Sequence, residues 1–204
     1  MTIIDQQYFQ DLASASPETL CAGKSCSFNE SDGTYNVKIW NDTFSIDPAK
    51  SQLELIDSPL STSTHEYFAI FIMYYLLRVK RNSPQGKWIS ENDLPGGPTF
   101  FRGPHLIPTH HISDLFQNDI NAFKHRCETL GGKPVEMGDA AFSFSITPDI
   151  PIAILYWLGD EDFPAEAKIL YDGSIEETLP LDIIYALAVE ICNRVSMIKT
   201  VPEI

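Results

Sequence analysis

The stretch IPIAILYWLGDEDFPAEAKILYD, residues 150–172, decides the fold. Its first part, IPIAILYWL, is apolar almost throughout and lies between turn signals, the pattern of a strand buried on both faces. AKILYD then reads as another strand, ending at Asp172. Only eight residues, Gly159 to Glu166, separate the two, whereas a parallel crossover takes at least ~10–12. The two strands are therefore expected to be antiparallel neighbours. Upstream, Phe142, Phe144 and Ile146 alternate with serines ahead of Pro148, which adds a strand and completes a three-stranded meander centred on Ile150–Leu158. Asp160, Glu161 and Asp162 with Asp172 are carboxylates of the kind hard cations take. Antiparallel pairing would set Asp160 and Asp172 at opposite ends, so the acidic run is expected to be a solvated turn.

Further toward the amino terminus, Tyr35, Val37 and Ile39 alternate with Asn36 and Lys38, as a half-buried strand requires. A two-residue turn at Asn41-Asp42 would set Ile39 opposite Phe44 and Val37 opposite Ile46, giving a hairpin. A short strand at Leu53–Ile56 follows. Ser63 and Glu66 form a capping box ahead of YFAIFIMYYLL, residues 67–77, which predicts a central helix running to about Lys80. A second helix is expected from a Ser113 cap through Phe116, Ile120, Phe123, Cys127 and Leu130 to Gly131-Gly132. A third is expected from Leu181 to Val195, with Pro180 in its first turn. Residues 1–33 are weakly helical around Tyr8, Phe9 and Leu12 and read as an arm on a single 1–204 domain. The class is α+β: a mainly antiparallel sheet made of a hairpin and a meander, with about three helices packed on it.

The 204 residues hold 28 acids and 14 bases, a formal charge of −14. Such a surplus repels phosphate backbones and anionic lipid, so neither nucleic acid nor membrane is an expected partner. The longest apolar run, Tyr67–Leu77, falls well short of the ~20 residues of a spanning helix. MTIIDQQYFQ carries no early base and no signal-like apolar core, so the expected location is cytoplasmic. Reduced thiols are then the expectation for Cys21, Cys26, Cys127 and Cys192.

Between Asn82 and Ile112 the chain holds five prolines and four glycines and leaves little room for regular structure beyond short strands near Trp88 and Phe100. Long connections of this kind are usually functional when ordered. Arg78, Lys80, Arg81, Lys87 and Arg102 face only Glu91 and Asp93 between Arg78 and His111, a local excess of positive charge in an acidic chain. Lys87, Trp88, Phe100, Arg102 and the backbone of Gly96-Gly97 are thus the candidate binding residues, for an anionic small molecule or an acidic partner segment. The alternatives are a metal-dependent hydrolase using His105, His110 or His111, and an interaction-only homodimer. No dinucleotide-binding, phosphate-loop or serine-hydrolase signature occurs.

Trp88, LPGGPTFF, SDLFQNDINAFKHRCETLGG, MGDAAFSF and PIAILYWLGDEDFPAEAKILYDGSIEETLPLDII together resemble the bacterial and archaeal family catalogued as domain of unknown function 3786. The resemblance spans roughly the second half of the chain, and WLGDEDFPAEAKILYD is its most specific part. It implies no catalytic residues. Some members resemble fusions to an iron–sulfur segment like that of corrinoid proteins. Residues 1–33 here carry two cysteines, short of the four such a cluster takes, so no cofactor is expected.

Overall fold

The structure, a computed structural model, describes residues 4–60, 64–80 and 82–197. Two antiparallel sheets form instead of one. The first is a meander of β1 (Cys26–Asn29), β2 (Thr34–Ile39), β3 (Asp42–Asp47) and β4 (Gln52–Asp57). The second has five strands: β5 (Trp88–Ile89), β6 (Lys133–Pro134), β7 (Ala140–Thr147), β8 (Ile150–Trp157) and β9 (Glu166–Asp172), in the order β5-β9-β8-β7-β6. The α+β class and the central place of β8 agree with the sequence. Ile152, Ile154 and Tyr156 are fully buried on one face of β8, and Ala153 and Leu155 are buried on the other.

The β2–β3 turn falls one residue earlier than predicted, which shifts the pairing of the two strands by two. Trp40 and Asn41 form it, so Val37 pairs with Phe44 and Tyr35 with Ile46. A shift of two keeps every side chain on its predicted face, because the strand period is two. The earlier turn is fixed from outside the hairpin. Trp40, at φ 54, donates its backbone N–H to the Ile146 carbonyl at 2.6 Å, and its indole N–H to the Leu130 carbonyl at 3.0 Å. Asn41 donates to the same Leu130 oxygen at 2.9 Å. The hairpin tip is thereby tied to β7 of the second sheet.

Eight α-helices are found among the described residues, more than the three predicted. The central one, α3 (Glu66–Arg78), lies between α1 (Gln6–Ser14) and the carboxy-terminal α8 (Leu181–Val195). Phe68, Phe71, Ile72, Met73, Tyr75 and Leu76 of α3 are fully buried. Its cap is His65, whose Nδ1 accepts from Tyr67 N; the predicted cap, Ser63, lies outside the described residues. Phe9 and Leu12 of α1 are buried, and the Leu12 carbonyl accepts from the Tyr35 hydroxyl, so residues 6–14 pack on the first sheet.

The helix predicted from Ser113 to Leu130 is two helices. Those are α5 (His110–Phe116) and α6 (Ile120–Thr129), counted after the short α4 (Gly97–Phe100). Gln117 breaks the run by taking φ 46, and Asp119 restarts it by accepting from Ala122 N at 2.9 Å. The apolar spacing continues across the break, which is why periodicity alone does not expose it. Gly131-Gly132 does end α6: their N–H groups close on the Glu128 and Cys127 carbonyls. Cys127 and Cys192 are fully buried, and burial pushes both thiols well up.

Cys21 and Cys26 form a disulfide, which corrects the expectation of four reduced thiols. A turn through Gly23 (φ 72) brings the end of α2 (Pro17–Cys21) within 4.9 Å of the start of β1, Cα to Cα. That proximity depends on chain reversal, which cysteine spacing does not encode. Inside the closed loop, Lys24 donates to the Leu76 carbonyl at 2.6 Å, and its ammonium stands 5.4 Å from the centre of the Tyr75 ring. Burial lowers its amine to about 8, partly opposed by the Asp149 carboxylate. The folded state therefore releases this proton before the unfolded chain does, and stability attributable to Lys24 should rise as pH climbs from 8 to the ordinary lysine value of 10.5. Urea unfolding across that range checks this: wild type should gain on Lys24→Met with rising pH, and a constant gap would contradict it.

Short α7 (Ile175–Thr178) precedes α8. Asp172 at the end of β9 does structural work. It is buried and accepts from Gln85 N, Gly86 N, Ser174 N and Ser174 Oγ at 2.6–3.0 Å. Burial alone would raise its carboxyl, but these donors together hold it below the ordinary value. They seat the lead-in to β5 against β9, where Trp88 pairs with Asp172 and Ile89 with Tyr171.

Candidate functional site

From β5 the chain runs over α8 in a set of tight turns. Asp93 accepts from the backbone N–H and hydroxyl of Ser90, closing a short 3-10 turn at Glu91–Asp93. Gly96 then takes φ 78, a conformation glycine adopts without a Cβ penalty, and its carbonyl accepts from Thr99 N and Phe100 N. With Pro98 favouring helical φ, this starts α4, so Phe100 lies in a helical turn and not in the strand predicted near it. Phe101 is buried as the anchor of the turn.

After Phe101 the chain reverses at Gly103 and returns to α8, where the Tyr185 hydroxyl donates to the Pro104 carbonyl at 3.1 Å. His105 stacks on Phe100 with centroids 4.5 Å apart and planes 4° from parallel, and meets Tyr185 edge-on at 5.4 Å. Two adjoining cavities share Phe100, Pro104 and His105. The open one, about 810 Å³, is also lined by Gly96, Thr99, Arg102 and Leu181. The deeper one, about 380 Å³, reaches Tyr67 and Ile70 of α3 and Asp182, Tyr185 and Ala186 of α8. Burial raises the Tyr185 phenol, with the Tyr67 and Cys192 charges adding to it, so it remains a hydrogen-bond donor at neutral pH. Arg102 is exposed and makes no ion pair among the described residues.

The structure thus brings Gly96, Phe100 and Arg102 together and separates the other candidates from them. Gly97 is buried beneath the 3-10 turn, where a Cβ would stand 1.8 Å from the Glu91 carbonyl oxygen. Lys87 and Trp88 lie along the edge of the second sheet and line neither cavity. The local positive charge is divided: Arg78 pairs with Asp11 of α1, and Arg81 lies outside the described residues. His110 and His111 sit at the head of α5 in edge contact with each other, while His105 belongs to the cleft. Among the described residues no group of three or more His, Cys, Asp or Glu side chains is placed to hold a metal ion. No helix among them is long and apolar enough to cross a membrane.

The sequence reading missed Tyr67 and Ile70 of α3 and Asp182, Tyr185 and Ala186 of α8, the last three about eighty residues further along the chain than the loop they face. Tyr185 was the available signal, a phenol inside the apolar run of residues 183–189 in α8.

The sequence model of a family described as domain of unknown function (DUF3786) matches residues 16–194, which takes in both cavities and every helix that lines them. The chain belongs to the DUF3786 family. No curated protein and no solved structure matches it. In this DUF3786 chain the α4 turn and the amino-terminal half of α8 form the two sides of the cleft.

Proposed function

We propose that this chain is a non-catalytic ligand-binding or accessory domain whose cleft takes a small molecule with an anionic group and an apolar, ring-like body. The observation that carries the reading is the continuity of the two cavities through Phe100, Pro104 and His105. Arg102 at the open end offers a planar fork of donors to a carboxylate or phosphate, which lysine would meet only as a point charge. The deeper cavity supplies aromatic and aliphatic walls, with Tyr185 as a polar handle and Asp182 at its rim. Asp182 disfavours a second negative charge at depth, so the anion belongs at the Arg102 end.

Thermal unfolding with a panel of aryl carboxylates and aryl phosphates tests this. A ligand at 100 times its Kd adds about 2.7 kcal/mol, which at ~2–4 °C per kcal/mol for a chain of this size raises Tm by ~5–10 °C. Arg102→Ala should abolish most of that rise while leaving the unliganded Tm unchanged. No stabilisation by any of these anions, or an equal rise in the variant, would remove the proposal.

A further inference from the structure

A second groove lies at the far end of β8 and β9, away from Asp172. Its walls are the corner between α5 and α6 and the loop Leu158–Ala165, and it encloses about 520 Å³. Phe163, in its lining, is 71% exposed, the most exposed large apolar side chain among the described residues, and Leu115 and Leu158, at 45% and 38%, neighbour the lining residues Asp114 and Gly159 in the chain. Apolar surface rimmed by polar residues marks contact sites where it is contiguous, and the loop that carries Phe163 is held in place. Asp160 accepts from the N–H groups of Asp162 and Phe163 at 2.9 and 2.8 Å, and its own N–H returns to the Phe163 carbonyl at 2.8 Å. The opposite wall is clamped to it: Gly159 N donates to Asn118 Oδ1 at 2.8 Å, and Asn118 Nδ2 donates back to the Gly159 carbonyl at 3.3 Å. Beneath them the Tyr156 hydroxyl fixes the carbonyl of Gln117, the residue held at φ 46. Backbone held in that region is costly for a residue with a Cβ, and such positions cluster at binding sites.

We propose that this groove docks a partner protein through a segment in which basic residues flank an apolar side chain. The apolar side chain would pack on Phe163, whose ordered loop spares the ordering cost that a loose one would incur on binding. The charges set the sign of the partner: Asp160 lines one wall and Asp114 the other, Glu161 and Asp162 follow Asp160 in the same loop and Glu166 directly succeeds it, and no base lies between Leu158 and Ala167. A second copy of a chain at −14 would meet this rim with like charge, so the occupant is a different, basic protein.

The probe is a fluorescein-labelled nine-residue peptide with lysines on either side of a central Leu-Phe pair, followed by anisotropy. Phe163→Ser should weaken binding at least tenfold without lowering Tm, and Glu161→Gln/Asp162→Asn should weaken it and flatten its salt dependence. The control is Ile56→Ser, at a 53% exposed apolar residue on β4 with acidic neighbours, which should leave binding unchanged. The proposal fails if the peptide does not bind, if Phe163→Ser leaves its affinity intact, or if Ile56→Ser weakens it equally, which is the mark of general adhesion to an acidic surface.

Discussion

Arg194→Met should lower the free energy of unfolding by ~3–5 kcal/mol, the loss that follows when a buried charge network is left without one partner. Arg194 on α8 is 1% exposed and stands between two carboxylates that are wholly buried. Its Nε donates to Glu190 Oε1 at 2.6 Å, and its Nη2 lies 2.7 Å from Asp42 Oδ2, an ion pair in which the N–H directions are not aligned for a hydrogen bond. The guanidinium also lies over the rings of Trp40 and Phe68, 5.3 and 5.4 Å from their centres. Glu190 Oε2 in turn accepts from His65 N at the start of α3. One cation thus joins the hairpin tip, the central helix and the terminal helix. Without it, Asp42 and Glu190 face each other uncompensated in the core.

Burial already raises the Glu190 carboxyl above its ordinary value, against the pull of Arg194 and the two hydrogen bonds. A carboxyl whose folded pKa is raised binds its proton more tightly when folded, so its contribution to stability falls as pH rises from 4.5 through the raised value. Arg194→Met should widen that window, and acidification from pH 7 toward 5 should recover part of the lost stability. Chemical unfolding at both pH values checks the loss and its recovery. A variant that loses under 1 kcal/mol at pH 7 would show that the triad carries little of the packing between the hairpin and α8. Replacing all three charges with apolar residues of similar volume should cost far less than removing Arg194 alone.

Gly97→Ala should cost about 3 kcal/mol or more, at or beyond the upper end of overpacking penalties. The new Cβ would lie 1.8 Å from the Glu91 carbonyl oxygen and 3.2 Å from Leu94 Cβ, and backbone cannot give way as a flexible side chain can. The neighbouring Gly96→Ala should cost only ~1–2 kcal/mol, the penalty of left-handed backbone, because the nearest atom to its Cβ is Leu181 Cδ1 at 3.5 Å. The two adjacent glycines therefore separate close approach from backbone conformation. Thermal unfolding of both variants gives the comparison, and equal losses would contradict it. Gly97→Ala must also displace Phe100 and Arg102, so anion-induced stabilisation should disappear with it.

What the sequence revealed followed the reach of its signals. The meander around β8 was legible because alternation, turn residues and a connection too short for a crossover are all local. The terminal helix was legible for the same reason, and its bounds agree with the structure. The hairpin turn was misplaced because the carbonyls that position Trp40 belong to Leu130 and Ile146, far away in the chain. The break at Gln117 was hidden because the residue there takes a positive φ without being glycine. The candidate site was half legible. Arg102 and Phe100 stood out within an unusual loop and Tyr185 as a phenol in an apolar run, whereas Tyr67 and Ile70 were ordinary helix residues until α3 and α8 packed side by side beneath it.

The central claim is that the cleft between the α4 turn and α8 receives an anionic, ring-bearing molecule. Two-dimensional amide spectra of the protein titrated with phenyl phosphate test it most directly. The account predicts saturable shifts concentrated at residues 96–105 and 181–186, lost in Arg102→Ala and in Ile70→Trp, which fills the deeper cavity. Absence of saturable shifts, or shifts centred elsewhere on the chain, would contradict it.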